Sequence, residues 1–170
     1  DPYTEHDQPN PCSVYAASKY VSERLAANIC SRHYIIRFAT MYGRRRNNAL
    51  GFVDKVVRKL RNGEELRIAD DKIDSPTYAN DAAEVLIQIL ISELDYGTYH
   101  IANTGAISYF EFVCALSALL GLDNPVYRAK DRDFPSLGLK PLRTALRSVR
   151  LDDMRSWQDA LTSYVNDDIL

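Results

Sequence analysis

No apolar run in this sequence approaches the roughly 20 residues that a bilayer-spanning helix needs, and no signal peptide opens it. The sequence therefore gives no reason to expect a membrane partner. An excess of charge of one sign is also lacking. There are 21 Lys and Arg against 23 Asp and Glu, for a net charge of −2. A nucleic-acid surface shows as a basic excess, so none is expected. The basic run Arg44-Arg45-Arg46 is short and reads as a solvated loop or a local anion contact. Cysteine is scarce: Cys12, Cys30 and Cys114 are odd in number and widely spaced, with no Cys-x-x-Cys. That argues against a disulfide framework and against a zinc knot. Three reduced thiols, buried or half-buried, fit a cytoplasmic protein. Gly-x-Gly-x-x-Gly and Walker loops are absent, so the phosphate cradle they build is not among these residues. There is no initiator Met. The opening Asp1-Pro2-Tyr3-Thr4-Glu5-His6-Asp7-Gln8-Pro9 is a polar, proline-punctuated loop that suits the interior of a longer polypeptide.

What is present is an ordinary hydrophobic share of 46% in 170 residues, enough for one domain or one domain with a small lobe. Ser13 is an N-cap candidate. Val14 to Cys30 reads as a helix, with Val14, Val21, Leu25 and Ile29 at helical spacing. Residues 33–38 read as a short buried strand. A loop follows, then an amphipathic helix from Leu50 to Arg61 closed by Asn62-Gly63. Leu66-Arg67-Ile68 is a strand candidate. Asp70-Asp71-Lys72 marks a turn, and Ser75-Pro76-Thr77 an extended segment. Asn80 or Asp81 is expected to cap a helix from Ala82 to Ile91 that is buried on much of its girth. Residues 98–102 read as a strand. Ser108 and Glu111 form a capping box for a helix to Leu120. Val126 to Ala129 is a further strand candidate. Residues 130–145 look irregular and basic, and Asp152 or Asp153 is expected to cap a last helix. Helices alternating with strands predict an α/β fold with a parallel sheet.

Tyr15 and Lys19 carry the candidate chemistry. Four apart on a helix, they share a face one turn apart. An ammonium beside a phenol favours the phenolate. Such a tyrosine can act as acid or base, while the lysine keeps donors for a ribose hydroxyl. Carbonyl reduction needs that combination beside a hydride source. Alone, the spacing is weak, because a Tyr/Lys pair four apart is usually helix surface.

Its surroundings are more specific. Tyr3-Thr4-Glu5, then Pro9, then Tyr15-Ala16-Ala17-Ser18-Lys19 and Glu23 resemble the active-site segment of extended short-chain dehydrogenases/reductases. Ile35-Ile36-Arg37 followed by Tyr42-Gly43 is similar to that family's next strand and Tyr-Gly turn. Asp71-Lys72-Ile73-Asp74-Ser75-Pro76-Thr77 and Asp81-Ala82-Ala83 resemble the Asp-Gln-x-Gly-Ser-Pro-Thr and Asp-Leu-Ala signatures of the dTDP-4-dehydrorhamnose reductase branch. Gly97 to Asn103, Ser108 to Phe112 and Lys140-Pro141 continue the likeness, which runs from about Pro2 to about Tyr164. Its departures from the branch include three that bear on the sugar. Thr40 stands where it has tryptophan, Leu50-Gly51-Phe52 where it has Asn-Phe, and Lys140-Pro141 where it has Arg-Pro.

The resemblance implies the C-terminal part of a Rossmann-type, doubly wound NAD(P)-binding fold with a smaller α/β substrate-binding lobe. Residues 1–45 would end the Rossmann domain. Residues 46–170 would form the lobe, interleaved with returning Rossmann elements at about 74–103. The implied activity is NAD(P)H-dependent reduction of a nucleotide-diphospho-4-keto-6-deoxy sugar. Tyr15 and Lys19 would be catalytic, and would bind cofactor together with Ala39 and Thr40. Thr40, Asn48, Lys140 and Arg143 would bind substrate. NADPH or NADH would be held mostly by residues preceding Asp1, among them a glycine-rich turn and a catalytic Ser or Thr. Mg2+ and a homodimer are compatible with the resemblance, though no residue pattern reads either. Made alone, residues 1–170 are expected to expose apolar helix surface, associate through it and bind cofactor poorly.

Other candidates have simpler readings. His33 and His100 sit in strand patterns and read as structural. Asp70, Asp71 and Asp74 read as a turn before a metal site. Tyr109, Phe110 and Phe112 read as core. Arg143, Arg147 and Arg150 divide evenly between a diphosphate contact and plain surface. Two other functions share the motifs: a nucleotide-sugar epimerase or dehydratase, and a non-catalytic reductase-like regulatory subunit.

Overall fold

The structure, a computed structural model, describes residues 1–45, 50–136, 138 and 140–169. Helix α1 spans Val14–Ile29 and starts where Ser13 Oγ accepts the Ala16 N–H at 3.1 Å. Then come β1 (Tyr34–Phe38), β2 (Met41–Tyr42), α2 (Phe52–Arg61), β3 (Leu66–Ala69), β4 (Ile73–Asp74) and β5 (Thr77–Tyr78). The chain continues through α3 (Ala79–Ile91), β6 (Gly97–Ile101), β7 (Ile107–Ser108), α4 (Tyr109–Leu119), β8 (Val126–Ala129) and α5 (Trp157–Tyr164). The expected α/β alternation holds, with the short strands β2, β4, β5 and β7 added.

Three strand pairs are parallel: β1 with β6, β2 with β5, and β3 with β8. Parallel partners need a crossover, and helices supply it. The register sets Ile36 opposite Tyr99 and Leu66 opposite Val126. β4 and β7 pair antiparallel, Ile73 opposite Ser108. Tyr42-Gly43 is a turn with a steric reason for its glycine. Gly43 has φ of 150°, and a Cβ there would sit 2.9 Å from the Ala79 Cβ at the start of α3.

Burial divides the molecule in two. The larger core joins α2, α4, α5 and the β3–β8 pair, with Leu60, Leu66, Val113, Leu116, Ala160 and Leu161 almost fully enclosed. The smaller joins α3 and β6 around Ala82, Ile89, Tyr99 and Ile101, with Tyr34 and Ile36 of β1 against it. No helix among the described residues is long and apolar enough to cross a membrane.

Apolar helix surface lies open, as expected of these residues alone: α1 buries no residue, with Val14 89% and Ile29 83% exposed. Several other expectations need correction. α3 is not buried round its girth, since Ile87, Leu90 and Ile91 are exposed. Neither Asn80 nor Asp81 caps α3. Tyr78 stands at its N-cap without a side-chain bond. The Asp81 carboxylate is taken by Arg155 and Asn103 instead. The last helix is capped by Ser156, whose Oγ accepts the Asp159 N–H, and not by Asp152 or Asp153. Cys12 and Cys30 are exposed free thiols, and Cys114 is half-buried.

Candidate functional site

The opening loop is anchored before it reaches α1. Glu5 accepts from the His100 N–H at 2.8 Å, Ser148 Oγ at 2.5 Å and the Val149 N–H at 2.8 Å. Burial alone would raise the Glu5 carboxyl. The bonds from Ser148, His100 and Val149 outweigh it and hold the group below its ordinary value. His100 is buried and structural, as its strand position implies. Its Nδ1 lies 3.2 Å from both Tyr3 O and Arg147 O.

From that loop α1 presents Tyr15 and Lys19 on one face. The Lys19 ammonium lies 5.5 Å from the Tyr15 ring centroid, and Tyr15 is 72% exposed. Glu23, one turn on, receives the Arg37 guanidinium of β1 at 3.0 and 2.7 Å. Both partners are half-buried. A bidentate Arg–carboxylate pair fixes orientation as well as distance. It therefore sets the rotation of α1 about its axis, and with it the direction in which Tyr15 and Lys19 point.

β1 ends at Phe38, and a cleft of about 300 Å³ opens just beyond it, lined by Ala39, Thr40, Lys72, Asp74, Tyr109 and Lys140 among others. In parallel sheets, ligands bind outside the carboxyl ends of strands. Thr40 Oγ donates to Asp74 Oδ2 and lies 3.1 Å from the Tyr109 hydroxyl. Burial chiefly, with the nearby Asp74 and Asp131 carboxylates, pushes the Tyr109 phenol up. The Lys72 ammonium is 4.9 Å from the Tyr109 ring centroid. An apolar recess behind the same group is lined by Tyr42, Phe52, Val53 and Phe112.

The structure thus gathers Ala39, Thr40 and Lys140 from the sequence candidates. Tyr15, Lys19 and Arg143 do not line this cleft. Arg143 is exposed, its backbone bridging Ile73. Asn48 lies outside the described residues. Arg147 pairs with Asp153 at 3.3 Å. Arg150 donates to Thr98 O and Asp95 O and covers the Tyr99 ring at 4.0 Å. Both therefore have local partners.

Sequence reasoning missed Lys72, Asp74, Tyr109 and Thr144 as cleft residues. Asp74 was expected in a turn and Tyr109 in the core. The antiparallel pairing of β4 with β7 carries them together, and no local signal announces that pairing. Asp70, read as a turn residue, forms ion pairs with Lys130 at 2.7 Å and Arg128 at 3.5 Å. Among the described residues no group of three or more His, Cys, Asp or Glu is arranged to hold a metal.

Comparison with known proteins gives the chain a family. A family model described as the RmlD substrate binding domain matches residues 1–169. The spore coat polysaccharide biosynthesis protein SpsK of Bacillus subtilis is 29% identical over 170 residues, covering 98% of this chain and 58% of its own length. A dTDP-4-dehydrorhamnose reductase of Aggregatibacter actinomycetemcomitans is 31% identical over 175 residues, covering 94% of this chain and 58% of its own. Among solved structures, the dTDP-4-dehydrorhamnose reductase of Bacillus anthracis in complex with NADP superposes with a TM-score of 0.87 at 30% identity, over 98% of this chain and 59% of that one. The chain therefore spans under two thirds of the length of these relatives.

Proposed function

Since the chain belongs to the RmlD substrate binding domain family, we propose that the whole protein reduces a nucleotide-diphospho-4-keto-6-deoxy sugar with NADPH or NADH. The observation that carries this reading is the arrangement of α1. Lys19 and Tyr15 share one face, the ammonium 5.5 Å from the ring centroid, while Glu23 one turn on is tied to Arg37 of β1. A helix whose rotation is fixed by that tie holds the phenol and the ammonium together toward a ligand.

The residues present fit a nicotinamide cofactor at its ribose end. Lys19 is exposed and makes no ion pair among the described residues. Its three N–H donors suit ribose hydroxyls. When bound, the reduced nicotinamide supplies the hydride. Tyr15 donates its phenolic proton to the sugar's C4 oxygen as charge develops there. The adjacent ammonium of Lys19 stabilises the phenolate left behind. Ala39 and Thr40, just past the carboxyl end of β1, border cofactor and sugar. Lys140 meets a diphosphate as a point charge and not as a bidentate fork. Arg143 and Asn48 complete the proposed sugar-nucleotide contacts. The solved Bacillus anthracis relative, with NADP bound, supports the cofactor. We read the smaller core, with α1 and β1, as part of the nucleotide-binding unit, the larger core as the substrate lobe, and the cytoplasm as the setting.

The test is Tyr15→Phe in the full-length protein, assayed by loss of NADPH absorbance with a dTDP-4-keto-6-deoxy sugar. Turnover should fall roughly 100- to 10,000-fold, the usual worth of a positioned proton donor. Sugar-nucleotide affinity should change little, because the proton matters mainly in the transition state. Turnover within a few-fold of the unsubstituted protein removes Tyr15 from the mechanism. Product formation with no net NADPH loss points to an epimerase instead.

A further inference from the structure

The reaction proposed above gives Thr40 a place beside cofactor and sugar and leaves unused its polar partners on the cleft floor, Tyr109 and Asp74. Asp74 is 4% exposed, and its Oδ1 accepts the Ser75 N–H at 2.8 Å. Its Oδ2 accepts from Thr40 Oγ, which lies 3.1 Å from Tyr109 Oη. Direction follows from donor counting. A carboxylate only accepts, and a threonine hydroxyl has one proton. With that proton committed to Asp74, the contact between Thr40 and Tyr109 is filled by the Tyr109 proton. The order is Tyr109 to Thr40 to Asp74, with both protons turned inward. What these hydroxyls keep for a ligand is lone pairs.

We propose that Tyr109 and Thr40 read a sugar hydroxyl by accepting its hydrogen bond, with Asp74 holding their own protons turned away, so that the cleft selects a sugar with a donor at that position. The proposal rests on the nucleotide-sugar reading and deepens it. A carbonyl oxygen is only an acceptor and would meet lone pairs there, and a methyl group would leave the oxygens unpaired. Either mismatch costs more than a hydrogen bond gains, because a buried polar group left without a partner pays its full desolvation. The sugar is thereby oriented, its reacting carbonyl turned from Thr40 and Tyr109 toward a donor elsewhere, the role given to Tyr15.

The experiment is calorimetric titration of the full-length protein with dTDP, dTDP-glucose and dTDP-glucoses each lacking one hydroxyl. One deoxy compound should bind about tenfold more weakly than dTDP-glucose. In Thr40→Val and Tyr109→Phe that gap should shrink to within about twofold, while dTDP affinity is kept, which also shows that the variants fold. If no single deletion weakens binding, or if the gap persists in both variants, the inference fails and the nucleotide-sugar reading survives. If the unsubstituted protein binds no sugar nucleotide, both fall together.

Discussion

Helices α1 and α2 are both amphipathic, yet they end in opposite states. α2 buries Val53, Val56, Val57 and Leu60 against α4 and its neighbours. α1 buries nothing, and Val21 and Leu25 face outward with Val14 and Ile29. The same contrast runs through the molecule. One region is closed around a core that includes Phe112, Leu116, Trp157 and Leu161. The other is a thin layer of α1, β1, β6 and α3 with four buried residues at its centre. Parallel strands are normally covered on both faces. Here β6 is so covered, with Tyr99, His100 and Ile101 all buried, while β1 stays half-buried and α1 is not buried at all. An apolar stripe in a sequence records that a helix needs a partner. It does not record where that partner is.

The largest effect should come from emptying the closed core. Leu116, fully buried, should cost about 2–5 kcal/mol when changed to Ala. Leu25→Ala on α1 should cost under about 0.5 kcal/mol in the 170-residue chain. Urea unfolding of the two variants measures both, and equal costs would erase the contrast. A higher cost for Leu25→Ala in the full-length protein would sharpen it, by showing that α1 is covered there.

Next comes the tie between the regions. Asp81 of α3 accepts from Arg155 at 2.6 and 2.8 Å and from Asn103 at 2.7 Å. Asn103 Oδ1 in turn accepts the Tyr78 N–H at 2.8 Å. Asp81→Asn replaces an acceptor-only group with one that confronts donors with donors. It should destabilise by about 1–3 kcal/mol in thermal or urea melts. A neutral result would mean that the two regions are joined by packing alone.

The smallest effect is the pH response of the opening loop. The Glu5 carboxyl is held below its ordinary 4.5 in the fold. Its stabilisation is therefore complete above that value and is lost as pH falls through the lower folded value. For a half-exposed group this is under about 1 kcal/mol. Glu5→Gln should remove that part of the acid slope and leave the slope near neutrality untouched. An unchanged acid limb in the melting curve would show that Glu5 does not anchor the loop.

Local chemistry was legible in the sequence where neighbours settle it. Ser108 and Glu111 form the reciprocal box their spacing implies, and Ser13 caps α1. The Ser156-to-Asp159 spacing carried the same kind of signal for α5 and went unread in favour of Asp152 and Asp153. The start of α3 was not legible, because Asp81 gives its oxygens to Arg155, far along the chain. The site divides the same way. Resemblance supplied Thr40 and Lys140, while Asp74 and Tyr109 became site residues only through the β4–β7 pairing. A turn residue and a helix-start aromatic carry no mark of what a distant strand brings to them.

The chain passes back and forth between the thin layer and the closed core. β1 belongs to the layer, while β2, α2 and β3 lie against the core. α3 and β6 return to the layer, and α4 and β8 go back again. Several covalent links therefore cross the boundary side by side, and the Asp81–Arg155 pair braces them. A body joined through one strap can swing. A body stitched at several points resists swinging, and what movement it keeps is a sliding of one face over the other. Any closing of the cleft beyond β1 should thus be a slight shear, felt along the whole seam.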